Sequence, residues 1–251
     1  ATRRSHPRPG RRTPAPAAGR RAGRSLRGSG RLRPARRRRA PVSTAGAPTP
    51  PDAFSAADPL LALHAEREAA RAAADANAEL CWLATVDASG APAVRTIVLR
   101  DVDGVFALFV NATSPKWRDL SRESRVQIAC WYPALQRQWR LRGRVRAFPH
   151  DVVARHWHRR PRVSQVLDHL YATRATQSTE LEADTDLEAE LAGLDASLPE
   201  RPEVPVQSLA LEIVPTEVEC MQIRGAPHLH QRQRWRRDAE DGRWSTRRLV
   251  P

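Results

Sequence analysis

Between Leu80 and Asn111 the chain alternates short apolar runs with tight turns: "LCWLATVD", "ASG", "APAVRTIVLR", "DVDG", "VFALFVN". Runs of this length, rich in β-branched residues and closed by Gly-containing turns, form antiparallel strands and leave little room for another fold. The three runs read as a meander. Two further strands, "RVQIACWY" and "QRQWRLRGRVRAF", flank Pro133-Ala134, and "SPKWRDLSRE" reads as a short helix before them. Helical patterns fill about 149–198. Strands then return in "VQSLALEIVP", "EVECMQI" and a hairpin of "HQRQRWRR" and "RWSTRRLV" around "DAEDG". A helix is expected from Asp58 to about Ala78, with Pro59 in its first turn. The fold class is therefore mainly β with inserted helices (α+β), a closed or split antiparallel β-barrel.

Charge separates the chain into two parts. The formal net charge is +14, yet the first 40 residues hold 15 arginines and no acidic residue, leaving 27 basic against 28 acidic residues beyond them. Residues 1–50, rich in Arg, Pro, Gly, Ala and Ser, cannot bury enough apolar surface to fold and read as a disordered leader. Such an arm suits non-specific contact with nucleic acid or an anionic membrane, a transit peptide, or translated GC-rich DNA outside the true gene. Residues 51–251 form one near-neutral domain, for which nucleic acid is not an expected partner. No apolar run reaches membrane-spanning length. Cys81, Cys130 and Cys220 lie far apart in apolar stretches, which points to buried free thiols and a reducing cytoplasm.

Several short stretches carry candidate chemistry. Lys116 is the single lysine in a chain with 41 arginines, placed directly after Ser114-Pro115. Ser at the N-cap and Pro at the first helical position open a helix whose free N–H groups favour an anion, and lysine adds a compact charge there. A solvated surface lysine is the plain alternative. "RTIVLR" puts Arg95 and Arg100 on opposite faces of one strand, with Thr96, Val98 and Arg100 sharing a face. "RRPRVSQ" (159–165) groups guanidiniums, a hydroxyl and an amide as a phosphate would require. "HLHQR" sets His228, His230 and Arg232 on one strand face. His156 and His158 fall on different helix faces. No HExxH, CxxC, GxSxG, P-loop or GxGxxG unit is present, so no metal site is expected.

The order of these stretches resembles the pyridoxine/pyridoxamine 5′-phosphate oxidase family, whose members are FMN enzymes on a split barrel. "LATVDASGAPAVRTIVLR", "FVNATSPKWRDL", "RQWRLRGRV", "RRPRVSQ", "TQS" at 176–178, "HLHQR" and the closing "RRLVP" follow the family's landmarks from about Asp58 to Pro251. The resemblance implies FMN contacts from Arg95, Thr96, Ile97, Val98, Leu99, Arg100, Phe109, Val110, Lys116, Gln138, Gln177, Ser178 and Arg232. It implies a substrate phosphate held by Arg100, His156, Arg160 and Ser164, with His228 and His230 flanking the ring as the catalytic pair. A homodimer with flavin sites shared between subunits, a phosphorylated small-molecule substrate and dioxygen as oxidant are implied as well.

This chain departs from the pattern at several positions. Arg100 stands for a lysine, Pro115 for an arginine, His156 for a tyrosine, His228 for an arginine and Gln231 for an aspartate. Met221 lies near the usual tryptophan, and the W-G-G segment is absent. FMN binding is thus better preserved than the vitamin pocket. Three readings follow: a pyridoxamine/pyridoxine 5′-phosphate oxidase; an FMN relative acting on another aromatic or tricyclic metabolite; and a non-catalytic flavin- or nucleic-acid-binding protein.

Overall fold

The computed structural model describes residues 53–182, 185–225 and 229–251. The leader and His228 lie outside these residues. A short 3-10 turn (Ala53–Ser55) precedes helix α1 (Pro59–Ala72). Strands β1 (Leu80–Val86), β2 (Pro92–Val98), β3 (Arg100–Val102) and β4 (Val105–Asn111) follow, then helix α2 (Pro115–Arg122). Next come β5 (Arg125–Tyr132) and β6 (Arg137–Ala147), the helices α3 (His150–Trp157), α4 (Arg162–Thr173) and α5 (Leu187–Ser197), and strands β7 (Ser208–Gln222), β8 (Gln231–Arg237) and β9 (Trp244–Leu249).

All pairings are antiparallel, in the order β2-β1-β5-β6-β7-β4-β3, with β8 and β9 extending from the far half of β7. The two ends of that path, β2 and β3, are consecutive in sequence and joined through Leu99. The sheet must therefore curl until its ends meet at one residue. Leu99 is fully buried there, and its N–H donates to the Glu79 carbonyl at 2.9 Å. The expected meander and the single strand 95–100 are corrected accordingly. Two hairpins form, β1–β2 and β3–β4, but β2 and β4 do not pair, and the split between them is the opening of the barrel.

Local chemistry explains the turns. Asp87 accepts N–H bonds from Ser89 (2.8 Å) and Ala91 (3.0 Å) across the β1–β2 turn. Asp103 and Gly104 adopt φ of 49° and 86°, the left-handed pair that a two-residue hairpin requires. Helix α1 starts as expected, with the Asp58 carboxylate capping the Leu60 N–H at 2.8 Å. It ends six residues early. Asp75 instead accepts from Asn77 (2.9 Å) and from Ala134 beyond β5 (2.8 Å), and Asn77 donates to the Trp131 carbonyl (3.1 Å). These bonds to the barrel outweigh the helix propensity of the alanines.

The barrel core is built on Leu83, Ile128, Tyr132, Trp139, Leu141 and Trp235, with the two tryptophan rings stacked at 6.0 Å. Cys81, Cys130 and Cys220 are free and buried, as expected, and burial pushes the Cys130 thiol up to about 11. A second small cluster, Val166, Leu170 and Leu194, joins α4 to α5. Helix α1 presents two buried charges. Glu66 receives the Trp139 indole N–H at 2.5 Å and lies 3.0 Å from Arg137 Nε, an ion pair without hydrogen-bond alignment. Arg67 reaches the Asp101 carboxylate (2.7 Å) and the Leu99 carbonyl (2.8 Å), pinning the corner where the sheet closes.

Candidate active site

Residues from β2 (Arg95, Thr96, Ile97) and β4 (Phe109) face each other across the split, and the start of α2 (Pro115, Lys116) and the segment Gln177-Ser178 close the groove, about 440 Å³ in volume. Phe109, Lys116 and Gln177 continue into a smaller recess of about 140 Å³ with Val110, Ser164 and Tyr171. Phe109 also borders a third recess, of about 260 Å³, which holds Arg71, Arg100, His156, Arg159 and Arg160. Phe109 borders all three.

Lys116 occupies the second position of α2. Ser114 caps that helix, its hydroxyl accepting the Trp117 N–H at 3.2 Å, and Pro115 takes the first position, where a missing N–H costs nothing. The ammonium is half-buried and donates to Gln177 Oε1 at 2.8 Å. Burial, reinforced by the Arg95 charge and partly offset by Asp168, lowers its pKa to about 8. Gln177 is itself placed by its backbone N–H, which donates to Thr113 Oγ1 at 3.2 Å. Ser178 adopts φ 70°, turning the chain sharply at the groove. Arg95 is held by Thr85 Oγ1 (2.7 Å) and lies 3.6 Å from Asp119. Lys116 therefore sits desolvated beside a second cation, with one neutral hydrogen-bond partner and no direct ion pair among the described residues, an arrangement that fits a phosphate.

The third recess has the same character. Arg100 makes no hydrogen bond or ion pair among the described residues, and burial is the main cause that lowers its pKa. Arg160 is committed to the buried Asp168 and stacks over the Phe109 ring at 5.3 Å. Asp168 also accepts from the Trp157 indole (2.8 Å) and Ser208 (2.6 Å), so Arg160 is rigidly set. His156 is buried, its Nε2 2.8 Å from Asp103 and its Nδ1 3.3 Å from an Arg159 N–H.

Not every expected residue reaches the groove. Leu99 faces the core and Val98 does not line the groove. Gln138 and Arg232 both stand opposite Met221, whereas Phe109 stands opposite Ala210. Eleven residues of β7 separate those positions, about 36 Å of strand contour. Arg232 pairs with Glu219 at 2.8 Å and, with His230, Phe54 and Arg248, lines a separate cavity of about 450 Å³. The strand expected to align 228, 230 and 232 begins only at Gln231, and His230 precedes it, its Nδ1 accepting the Arg224 N–H at 2.9 Å. Arg159, Arg71, Asp103, Asp168 and Tyr171 joined the site unannounced. Arg159 lay inside the "RRPRVSQ" stretch, but nothing in the sequence could bring Arg71 or Asp103 there.

A family model described as pyridoxamine 5′-phosphate oxidase matches residues 67–195, which include both walls of the split, Lys116 and the arginine recess. The chain belongs to the pyridoxamine 5′-phosphate oxidase family. It is 34% identical over 173 residues to the pyridoxine/pyridoxamine 5′-phosphate oxidase of Salinibacter ruber, covering 67% of this chain and 78% of that one. The enzyme of the same name from Saccharopolyspora erythraea is 36% identical over 181 residues, 70% of this chain and 77% of that protein. Among solved structures, PhzG from Burkholderia lata in complex with tetrahydrophenazine-1-carboxylic acid superposes with a TM-score of 0.69 at 23% identity, covering 78% of this chain and 94% of that one. A pyridoxamine 5′-phosphate oxidase-related FMN-binding protein of Nostoc punctiforme gives 0.62 at 19% identity, covering 78% and 100%. At these identities the two superpositions establish the shared split-barrel fold. As a member of the pyridoxamine 5′-phosphate oxidase family, the chain is an FMN-dependent oxidoreductase.

Proposed function

We propose that this protein oxidises pyridoxamine or pyridoxine 5′-phosphate to pyridoxal 5′-phosphate with dioxygen as electron acceptor, releasing hydrogen peroxide and, from the amine, ammonia as water hydrolyses the imine. The observation that carries the reading is Arg100: a half-buried guanidinium without a hydrogen bond or ion pair among the described residues, in a recess it shares with Arg160 and His156, beside a groove suited to a second phosphate. Bound FMN would supply the redox chemistry, accepting a hydride equivalent from the carbon that bears the amine or alcohol, with dioxygen as the final acceptor. The chain's part is orientation. Lys116, Arg95, Gln177 and Ser178 would hold the cofactor phosphate, and Thr96, Ile97, Phe109 and Val110 would line its path. Arg100, Arg160 and Ser164 would hold the substrate phosphate, with His156 beside them. Anchoring both partners at their phosphates brings donor and acceptor together and removes most of the entropic barrier to their encounter.

Gln138, His230 and Arg232 have a role in this scheme only through a second copy. Their distance along β7 from the groove supports a homodimer in which one subunit's 450 Å³ cavity faces its partner's split. His230, with His228, would then flank the substrate ring. Among the described residues no helix is long and apolar enough to cross a membrane. Three free thiols favour a reducing, cytoplasmic setting.

One observation favours a second reading, an FMN relative acting on another anionic aromatic metabolite. Both ring nitrogens of His156 are engaged, one with Asp103 and one with Arg159, so His156 has no free donor for a phosphate. Anaerobic addition of pyridoxamine 5′-phosphate to the FMN-loaded protein separates the two. Bleaching of the flavin, with colour returning in air, is the expected result. A flavin that stays oxidised would reject the vitamin substrate in favour of the second reading.

A further inference from the structure

Four guanidiniums border the 260 Å³ recess, and two of them are already committed. Arg71 is tied to Glu79 at 2.5 Å, and Arg160 to Asp168. Arg100 has no partner among the described residues and Arg159 has one, the imidazole of His156. A phosphate monoester presents three terminal oxygens, and a single arginine fork satisfies two of them in one plane. With Arg160 tied to Asp168, a phosphate beside Arg100 therefore has room for a further cationic donor.

Arg159 is exposed and would ordinarily wave in solvent. Here its Nη1 donates to His156 Nδ1 at 3.3 Å. That acceptor exists only while the ring proton sits on Nε2, and Nε2 faces the Asp103 carboxylate at 2.8 Å. The His156 contact is the leading cause that lowers the Asp103 pKa, so the carboxylate stays ionised and keeps the proton on that side. Asp103 is in turn fixed by the tight β3–β4 turn, at φ 49°, and by Arg155 at 3.3 Å. A hairpin turn thus orients an imidazole, and the imidazole orients a guanidinium at the mouth of the recess.

We propose that Arg159 is a second substrate-gripping guanidinium, aimed into the recess by the Asp103–His156 pair and acting together with Arg100. This rests on the reading above that the recess takes the substrate's phosphate. It also gives the engaged His156 a purpose: His156 and Asp103 are positioning residues, and Arg159 makes the contact a tyrosine hydroxyl would otherwise supply.

The test is ligand binding to the FMN-loaded full chain by titration calorimetry. The probes are 4-deoxypyridoxine 5′-phosphate and 4-deoxypyridoxine, which lack the oxidisable group and differ only in phosphate. Arg159→Ala is expected to weaken the phosphate ester about 10- to 100-fold while leaving the unphosphorylated probe and flavin content unchanged. Arg159→Lys should recover part of the loss, and Asp103→Asn should weaken the ester by a smaller factor. If Arg159→Ala binds the ester as the wild type does while Arg100→Ala does not, Arg159 is only a solvated rim residue and the inference fails with the oxidase reading intact. Equal weakening of both probes would also overturn it, because the change would then be structural. A wild type that shows no preference for the phosphate ester would remove the phosphate reading itself and the inference with it.

Discussion

Lys116 shows how much one residue can be asked to do. Its depressed pKa means that the unfolded chain binds the ammonium proton more tightly than the folded, flavin-free chain. Stability of the flavin-free protein should therefore rise as pH climbs from about 8 toward the ordinary value of 10.5, and Lys116→Met should abolish that rise. Urea midpoints on either side of pH 8 measure it. The same substitution should weaken FMN about 10- to 100-fold, since a charge-assisted bond to phosphate is worth about 1.5–3 kcal/mol, read by flavin retained on gel filtration. Unchanged flavin content would remove Lys116 from the cofactor site. The residue stood out in the sequence because it interrupts a habit: a chain that otherwise uses arginine throughout placed a lysine behind a capping Ser-Pro. Arg100 gave no such signal, because its isolation is a property of the folded surroundings alone.

Elements carry a different kind of constraint. Strand β7 bulges at Thr216, which is skipped between the pairs Arg142–Glu217 and Gly143–Pro215, and Pro215 beside it has no N–H to pair. A Cβ on Gly143 would lie 2.2 Å from the Val214 carbonyl oxygen, so Gly143→Ala forces β7 to move. A loss of about 1–3 kcal/mol is expected in urea unfolding. Helix α1 is held more strongly. Glu66→Ala leaves the Arg137 guanidinium buried without its carboxylate and removes the acceptor of the Trp139 indole, and should cost about 3–5 kcal/mol. The strand periodicities were legible because alternation is local. The early end of α1 was not, since bonds from Asp75 and Asn77 to the distant β5–β6 region decide it.

At the scale of the whole molecule, the split between β2 and β4 defines the groove, and the sheet's length carries Gln138 and Arg232 away from it. Sedimentation of the full chain should therefore give a dimer. Charge also acts at this scale. Residues beyond 40 are nearly balanced, 27 basic against 28 acidic, so deleting residues 1–50 should abolish salt-sensitive retention on heparin while flavin content stays constant. Retention that survives the deletion would contradict the neutral-body argument.

By itself the sequence determined the antiparallel strands, the tight turns, the buried thiols and the family's order of landmarks, because each depends on residues close together in the chain. Tertiary structure alone decided that the expected strand 91–100 breaks at Leu99, that Arg71, Asp103 and Arg159 join one recess, and that His230 and Arg232 do not. These outcomes depend on how far the sheet curls before its two ends meet. That curl is set by the packing of Leu99, Trp139 and Trp235 and by the reach of Arg67, none of which has a local signature.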